Sequence, residues 1–206
     1  AWGATIEEHG TDGLHAELEA RRRAEASGLF YLSPYNDPGV VAGQGTVGAE
    51  LARQTERLDA LFIAVGGGGL IAGTAACLKA IRPDLTVVGC SPEASKVMFE
   101  SVRAGRILDL PSEPTLSDGT AGGVESDAIT FPLCRALVDR WQLVSETDIA
   151  EAMRVAIDQD SQLIEGAAGV ALAAARTMAH EFPGGVIGVV LCGGNVGTTT
   201  LRRVLC

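Results

Sequence analysis

Ala64-Val65-Gly66-Gly67-Gly68-Gly69-Leu70 is the stretch on which the reading of this chain turns. An apolar run, Leu61 to Val65, stops on four consecutive glycines and passes into Leu70 to Ile81, which carries a helical pattern. Strand, glycine turn and helix in that order open a βαβ unit. Lacking Cβ atoms, Gly66, Gly67, Gly68 and Gly69 can turn successive backbone N–H groups toward one point, with the helix N-terminus behind them. Such a turn suits an anion, and a phosphate in particular.

Working outward, Thr86 to Cys90 reads as a second buried strand, joined to the first by the helix in a right-handed crossover. Upstream, Thr11 to Ser27 is predicted helical and ended by Gly28, and Leu29 to Leu32 is predicted as a short strand. Ser33 to Gly39 is turn-rich, with Asp37 and Pro38 placed as cap and first residue of a helix over Val40 to Arg57. That helix holds Gly43, Gly45 and Gly48, each costing about 0.8–1 kcal/mol relative to alanine, and close packing of another backbone accounts for them.

Downstream, helices are predicted over Pro92 to Ala104 and Ile129 to Arg140, with a glycine- and proline-bearing loop from Gly105 to Asp127 between them. Gln142 to Val144 is a strand, and Ser145 with Asp148 forms a capping-box-like start for a helix to Asp160. Glu165 to His180 is a helix of small residues, Val186 to Leu191 the last strand, and Thr198 opens a closing helix. Regular alternation of strands and helices over 206 residues argues an α/β layer architecture.

Composition narrows the function classes. A net charge of −10 argues against nucleic acid, whose phosphates need a basic surface. Arg21-Arg22-Arg23 is the one basic run and reads as a solvated helix face. Cys77, Cys90, Cys134, Cys192 and Cys206 form no C-x-x-C pair and are read as reduced thiols of a cytoplasmic protein. His9, His15 and His180 have no ligand spacing, and no apolar run is long enough for a bilayer.

The glycine turn alone admits two chemistries. Gly67-x-Gly69-x-x-Ala72 satisfies a dinucleotide fingerprint, and Glu93 follows the next strand at about the required 20 residues. A P-loop is excluded, because no Gly-Lys-Ser/Thr follows. A second motif separates the readings: Val186 to Leu191 ends in Cys192-Gly193-Gly194-Asn195-Val196. A small polar side chain followed by two glycines at a strand's C-terminal end lies where α/β sheets bind ligands. A phosphate cradle plus a thiol able to face a ring nitrogen, on separate strand ends, describes pyridoxal 5'-phosphate.

Here the chain resembles the threonine/serine dehydratase and serine racemase group of pyridoxal-phosphate enzymes, with the tryptophan-synthase β-subunit-like fold (fold type II). The matching pieces are Asp37-Pro38 with Val41 to Thr46, then Val65 to Gly73, Asp118-Gly119, Val144 to Glu146, Glu165 to Gly169 and Leu191 to Val196. The resemblance implies an open, mostly parallel sheet with helices on both faces. It implies that Gly66, Gly67, Gly68 and Gly69 hold the cofactor phosphate, that Cys192 faces the pyridine nitrogen, and that Gly119 and Glu165 lie near the ring. A thiol is a weak donor, so the nitrogen stays largely unprotonated, which suits β-elimination of water from a hydroxyamino acid.

The same resemblance marks what is missing. The family's lysine, which forms the internal Schiff base, sits in a Ser-x-Lys context. Lys79 and Lys96, the only lysines, do not match it. The expectation is a chain lacking its N-terminal third: residues 1–33 as the tail of a small α/β domain, 34–206 as most of the large cofactor domain. Ala1 to Ile6 resembles the stretch just beyond the family's substrate-carboxylate loop, and no regulatory domain is expected after Cys206. A glutamate that binds a divalent cation in some members is matched by Ser91, with Glu93 nearby, so no metal site is assigned. The implied whole enzyme is a homodimer acting on L-threonine or L-serine, with no nucleic-acid or membrane partner, and inactive as this chain alone. A racemase, or a dehydratase of another hydroxyamino-acid derivative, is the alternative on the same fold. From other classes, a nicotinamide-dependent oxidoreductase and a non-catalytic binder of phosphorylated small molecules stand as alternatives.

Overall fold

The glycine turn is placed by a strand buried at every position, β1 (Ala60–Ala64). It pairs in parallel with β2 (Thr86–Pro92), on whose far side lies β3 (Arg140–Val144); β4 (Ile187–Val189) pairs with the other edge of β1. The order β3-β2-β1-β4 is all parallel. The computed structural model describes residues 3–205, so the expectations touching Ala1, Trp2 and Cys206 lie outside the described residues.

Alternation along β1 divides the core. Ala60 and Phe62 pack with Val88 and Cys90 against α6 (Glu146–Asp160), α7 (Gly166–Met178) and α8 (Thr198–Leu205) on one face. Leu61, Ile63 and Val65 face α2 (Pro38–Gln54), α3 (Gly69–Ile81), α4 (Val97–Ala104) and α5 (Thr130–Leu137) on the other. A strand apolar on both faces is what a sheet covered twice requires. The expectation of a parallel α/β sheet with helices on both faces holds.

Local signals act as their chemistry dictates. Asp37 accepts hydrogen bonds from the Gly39 and Val40 N–H groups and Pro38 opens α2. Ser145 accepts from Asp148 N–H at the head of α6. Gly28 ends α1 (Gly13–Ser27) in the left-handed region, at φ 66°. Two expectations change. Leu29 to Leu32 forms no strand; Leu29, Phe30 and Leu32 are exposed, and no strand among the described residues pairs with this segment. β-propensity alone does not make a strand without a neighbour to accept its backbone hydrogen bonds. The helix predicted from Pro92 starts at Val97, because β2 runs on to Pro92 against Val144 and a turn follows.

The glycines of α2 do admit a second backbone, though not all three. A Cβ on Gly48 would lie 2.7 Å from the Thr74 carbonyl, and one on Gly45 3.4 Å from that of Gly73. From the α3 side, a Cβ on Gly73 would lie 2.1 Å from the Val41 carbonyl, whereas Gly43 has open space. Gly73→Ala is therefore expected to destabilise the fold by ~1–3 kcal/mol through overpacking. Gly43→Ala is expected to be neutral or stabilising by up to about 1 kcal/mol. Urea unfolding of both variants checks the contrast.

Candidate functional site

β1 delivers the chain into Gly66 at the C-terminal edge of the sheet, and Gly68 turns it into α3 with φ 86°. The loop is gripped from three sides. A Cβ on Gly66 would lie 2.9 Å from the Thr120 backbone, and one on Gly67 2.3 Å from the Tyr35 ring. Thr130 Oγ1 donates to the Gly67 carbonyl at 2.6 Å. Carbonyls of the loop are thus tied down, while its amides are not: among the described residues no protein acceptor takes the N–H of Gly66, Gly67, Gly68 or Gly69. Orphan donors in series at the N-terminus of a buried helix form an anion-binding concavity.

Opposite the loop, Glu165 sits at the N-cap of α7. Its own N–H donates to the Gly193 carbonyl at 3.0 Å, and Asn195 N–H donates to its Oε2 at 2.9 Å. The segment after β4 is thereby strapped to α7, at a distance only glycine allows, since a Cβ on Gly193 would fall 2.4 Å from Glu165 Oε1. Cys192, one residue earlier, opens into the same space. Its thiol pKa is raised, first by the surrounding protein and then by the Glu165 carboxylate, so the group stays a neutral donor.

Gly66, Gly67, Gly68, Gly69, Gly119, Glu165 and Cys192 all line one cavity of about 300 Å³, within the size range of small-ligand sites. The seven positions singled out in the sequence meet there. The cavity also takes wall residues that the sequence did not single out: Tyr35, Thr120 and Glu17. Tyr35 stands in the Ser33-Pro34-Tyr35-Asn36 turn, whose place in space no local pattern reveals. Neither lysine lines the cavity; Lys79 is ion-paired to Asp139 at 2.7 Å, and Lys96 lies in a separate hollow with Glu93, Glu100 and Glu113. Glu93 thus lines that hollow and not the cavity of the glycine loop. No group of metal-ligating side chains is found among the described residues.

The family model for pyridoxal-phosphate dependent enzymes matches residues 1–193. The chain belongs to that family. Its members use pyridoxal phosphate, and the donor set of the cavity fits that molecule, with unpaired amides for a phosphate at one wall and a neutral thiol at another. L-threonine ammonia-lyase of Thermotoga maritima is 34% identical over 186 residues, 90% of this chain and 46% of that protein. The structure of threonine deaminase isoform 2 from Solanum lycopersicum superposes with a TM-score of 0.90 at 33% identity, over 98% of this chain and 56% of that one. Maize serine racemase superposes with a TM-score of 0.85 at 32% identity, over 98% of this chain and 64% of that one. The chain thus spans about half to two thirds of the length of these relatives.

Because Glu165 raises the Cys192 pKa, neutralising it frees thiolate at a given pH. Glu165→Gln keeps an acceptor for Asn195 N–H and is expected to speed iodoacetamide labelling of Cys192 at mildly alkaline pH by roughly two- to fivefold. Peptide mapping by mass spectrometry reads the site; an unchanged rate would show that Glu165 does not act on the thiol.

Proposed function

We propose that this chain supplies most of the cofactor-holding part of an ammonia-lyase of the threonine/serine dehydratase type, which removes water from a hydroxyamino acid to give a 2-oxo acid and ammonia. Residues 34–206 are the cofactor domain in this reading, and residues 1–33 the end of a smaller domain. The observation that carries it is the convergence of four unpaired glycine amides, a neutral thiol and a strapped carboxylate on one cavity of about 300 Å³.

When bound, pyridoxal phosphate supplies an electron sink conjugated to the α-carbon of an amino acid. The chain's own residues set how that sink is held. Amides of Gly66 to Gly69, backed by the α3 N-terminus, take the phosphate. Cys192 offers the ring nitrogen a weak hydrogen bond and no charge. A carboxylate there would hold a proton on the nitrogen; a thiol whose pKa lies above its usual range does not. Carbanion character is then stabilised less, and prompt loss of a β-leaving group is favoured over its persistence. Glu165 fixes the Cys192 segment through Asn195, and its carboxylate adds to burial in raising the thiol pKa.

The likeness to maize serine racemase supports a second reading on the same cavity, an amino-acid racemase. Both readings need a lysine at the α-carbon, and neither Lys79 nor Lys96 reaches the cavity. We therefore propose that the 206-residue chain binds the cofactor but does not turn over.

Pyridoxal phosphate added to the purified chain is expected to change its absorption on binding. Gly67→Val, whose side chain would enter the Tyr35 ring, is expected to weaken that binding at least about tenfold, as loss of a phosphate-positioning loop does. No ammonia is expected from L-threonine or L-serine. Turnover by the chain alone would overturn the assignment of the missing lysine, and cofactor binding indifferent to Gly67→Val would overturn the assignment of the cradle.

A further inference from the structure

One wall of the cavity is acidic in a way the reading above does not use. Glu17, on α1, lines it, and its Oε2 is buried with no hydrogen-bond partner. An orphan carboxylate oxygen out of reach of water is costly, and more so beside a site for an anion. Titratable groups face Glu17 from its own helix and from the segments around it. Asp12 and Arg21 belong to α1 and its cap, Tyr31 and Tyr35 to the following turn, and Glu125 to the loop before α5.

The one cation among them is committed elsewhere. Arg21 Nη2 lies 2.6 Å from Glu125 Oε2, whose side chain is only 3% exposed. Glu125 also accepts from Ser33 Oγ at 3.3 Å. Glu17 is left with the Tyr35 hydroxyl, which itself accepts from Glu125 N–H at 2.9 Å and can donate its proton to the Glu17 carboxylate. The Tyr35 ring in turn packs on Gly67. Glu17 thus stands one tyrosine ring away from the phosphate cradle, with one carboxylate oxygen, Oε2, buried and without a partner.

Resting on the reading of the cradle as a phosphate site, we propose that Glu17 is part of it and takes up a proton as the cradle fills, so that the neutral carboxylic acid is the form that accompanies a bound phosphate. The direction of its titration in this cavity agrees. Its pKa already lies above the usual carboxylate value, first through burial and then through Glu125, while the Tyr35 hydroxyl holds it back. A nearby phosphate dianion raises it further. A site whose bound-state pKa exceeds its free-state pKa has constant affinity below the free-state value and loses affinity as pH rises through the interval.

The test measures pyridoxal phosphate and inorganic phosphate binding to the full chain across pH, by isothermal titration in two buffers of different ionisation heat. In the wild type the dissociation constant is expected to rise with pH by up to about tenfold per unit, with close to one proton taken up. In Glu17→Gln, which cannot titrate, that component disappears. Titration of the phosphate itself is common to both proteins and cancels in their ratio. Tyr35→Phe removes the group that holds the Glu17 pKa down, so the pH at which affinity starts to fall moves upward. Circular dichroism verifies that each variant is folded. Binding with the same pH profile and proton count in the wild type and Glu17→Gln would overturn the role of Glu17 alone. No binding of either phosphate by the wild type at any pH would overturn the cradle and this inference together.

Discussion

Four residues without side chains at the end of β1 set the terms for everything around them. They let the Thr120 backbone, the Tyr35 ring and the Cys134 thiol close on the loop at distances no Cβ tolerates. Those contacts absorb one surface of the turn, and among the described residues its amides have no protein acceptor. The cost of such a loop is borne by the sheet. β1 is buried along its whole length, is paired on both edges and cannot drift. Rigid strand, unencumbered turn and helix N-terminus together form a backbone concavity of the kind that suits an anion.

The second half of the site depends on the first only through the sheet. β4 pairs with β1, so the chain leaving β4 arrives at the same edge as the glycine loop. Glu165 then straps it down, through its N–H to the Gly193 carbonyl and its carboxylate to Asn195 N–H. That strap has a chemical effect beyond geometry, since the same carboxylate adds to burial in raising the Cys192 thiol pKa. A structural bond and the tuning of a cavity-lining thiol are here one interaction.

Much of this was legible in the sequence, for identifiable reasons. The helix-capping residues Asp37 and Ser145 and the C-terminal Gly28 act within a few residues of themselves, so their roles survive folding. The glycine loop and Cys192 were readable because both follow strands, the fully buried β1 and the half-buried β4, and parallel strands of one sheet deliver their C-terminal ends to one edge. Tyr35, Thr120 and Glu17 were not, because they come from turns and a helix whose placement depends on contacts far away in the chain, such as Tyr35 with Glu125 N–H. Leu29 to Leu32 has the composition of a strand, but no described strand lies beside it. The reach of β2 as far as Pro92 was likewise invisible, since it depends on β3 coming alongside.

Pyridoxal phosphate held in this cavity would bridge two turns, the glycine loop and the Cys192 segment. Amide chemical shifts of the isotope-labelled chain measure that bridge directly. Titration with pyridoxal phosphate should move the amides of Gly66 to Gly69 and those around Cys192 together, whereas inorganic phosphate should move the glycine set and leave the Cys192 segment unchanged. Response of only one of the two turns to pyridoxal phosphate, at any concentration, would contradict the account.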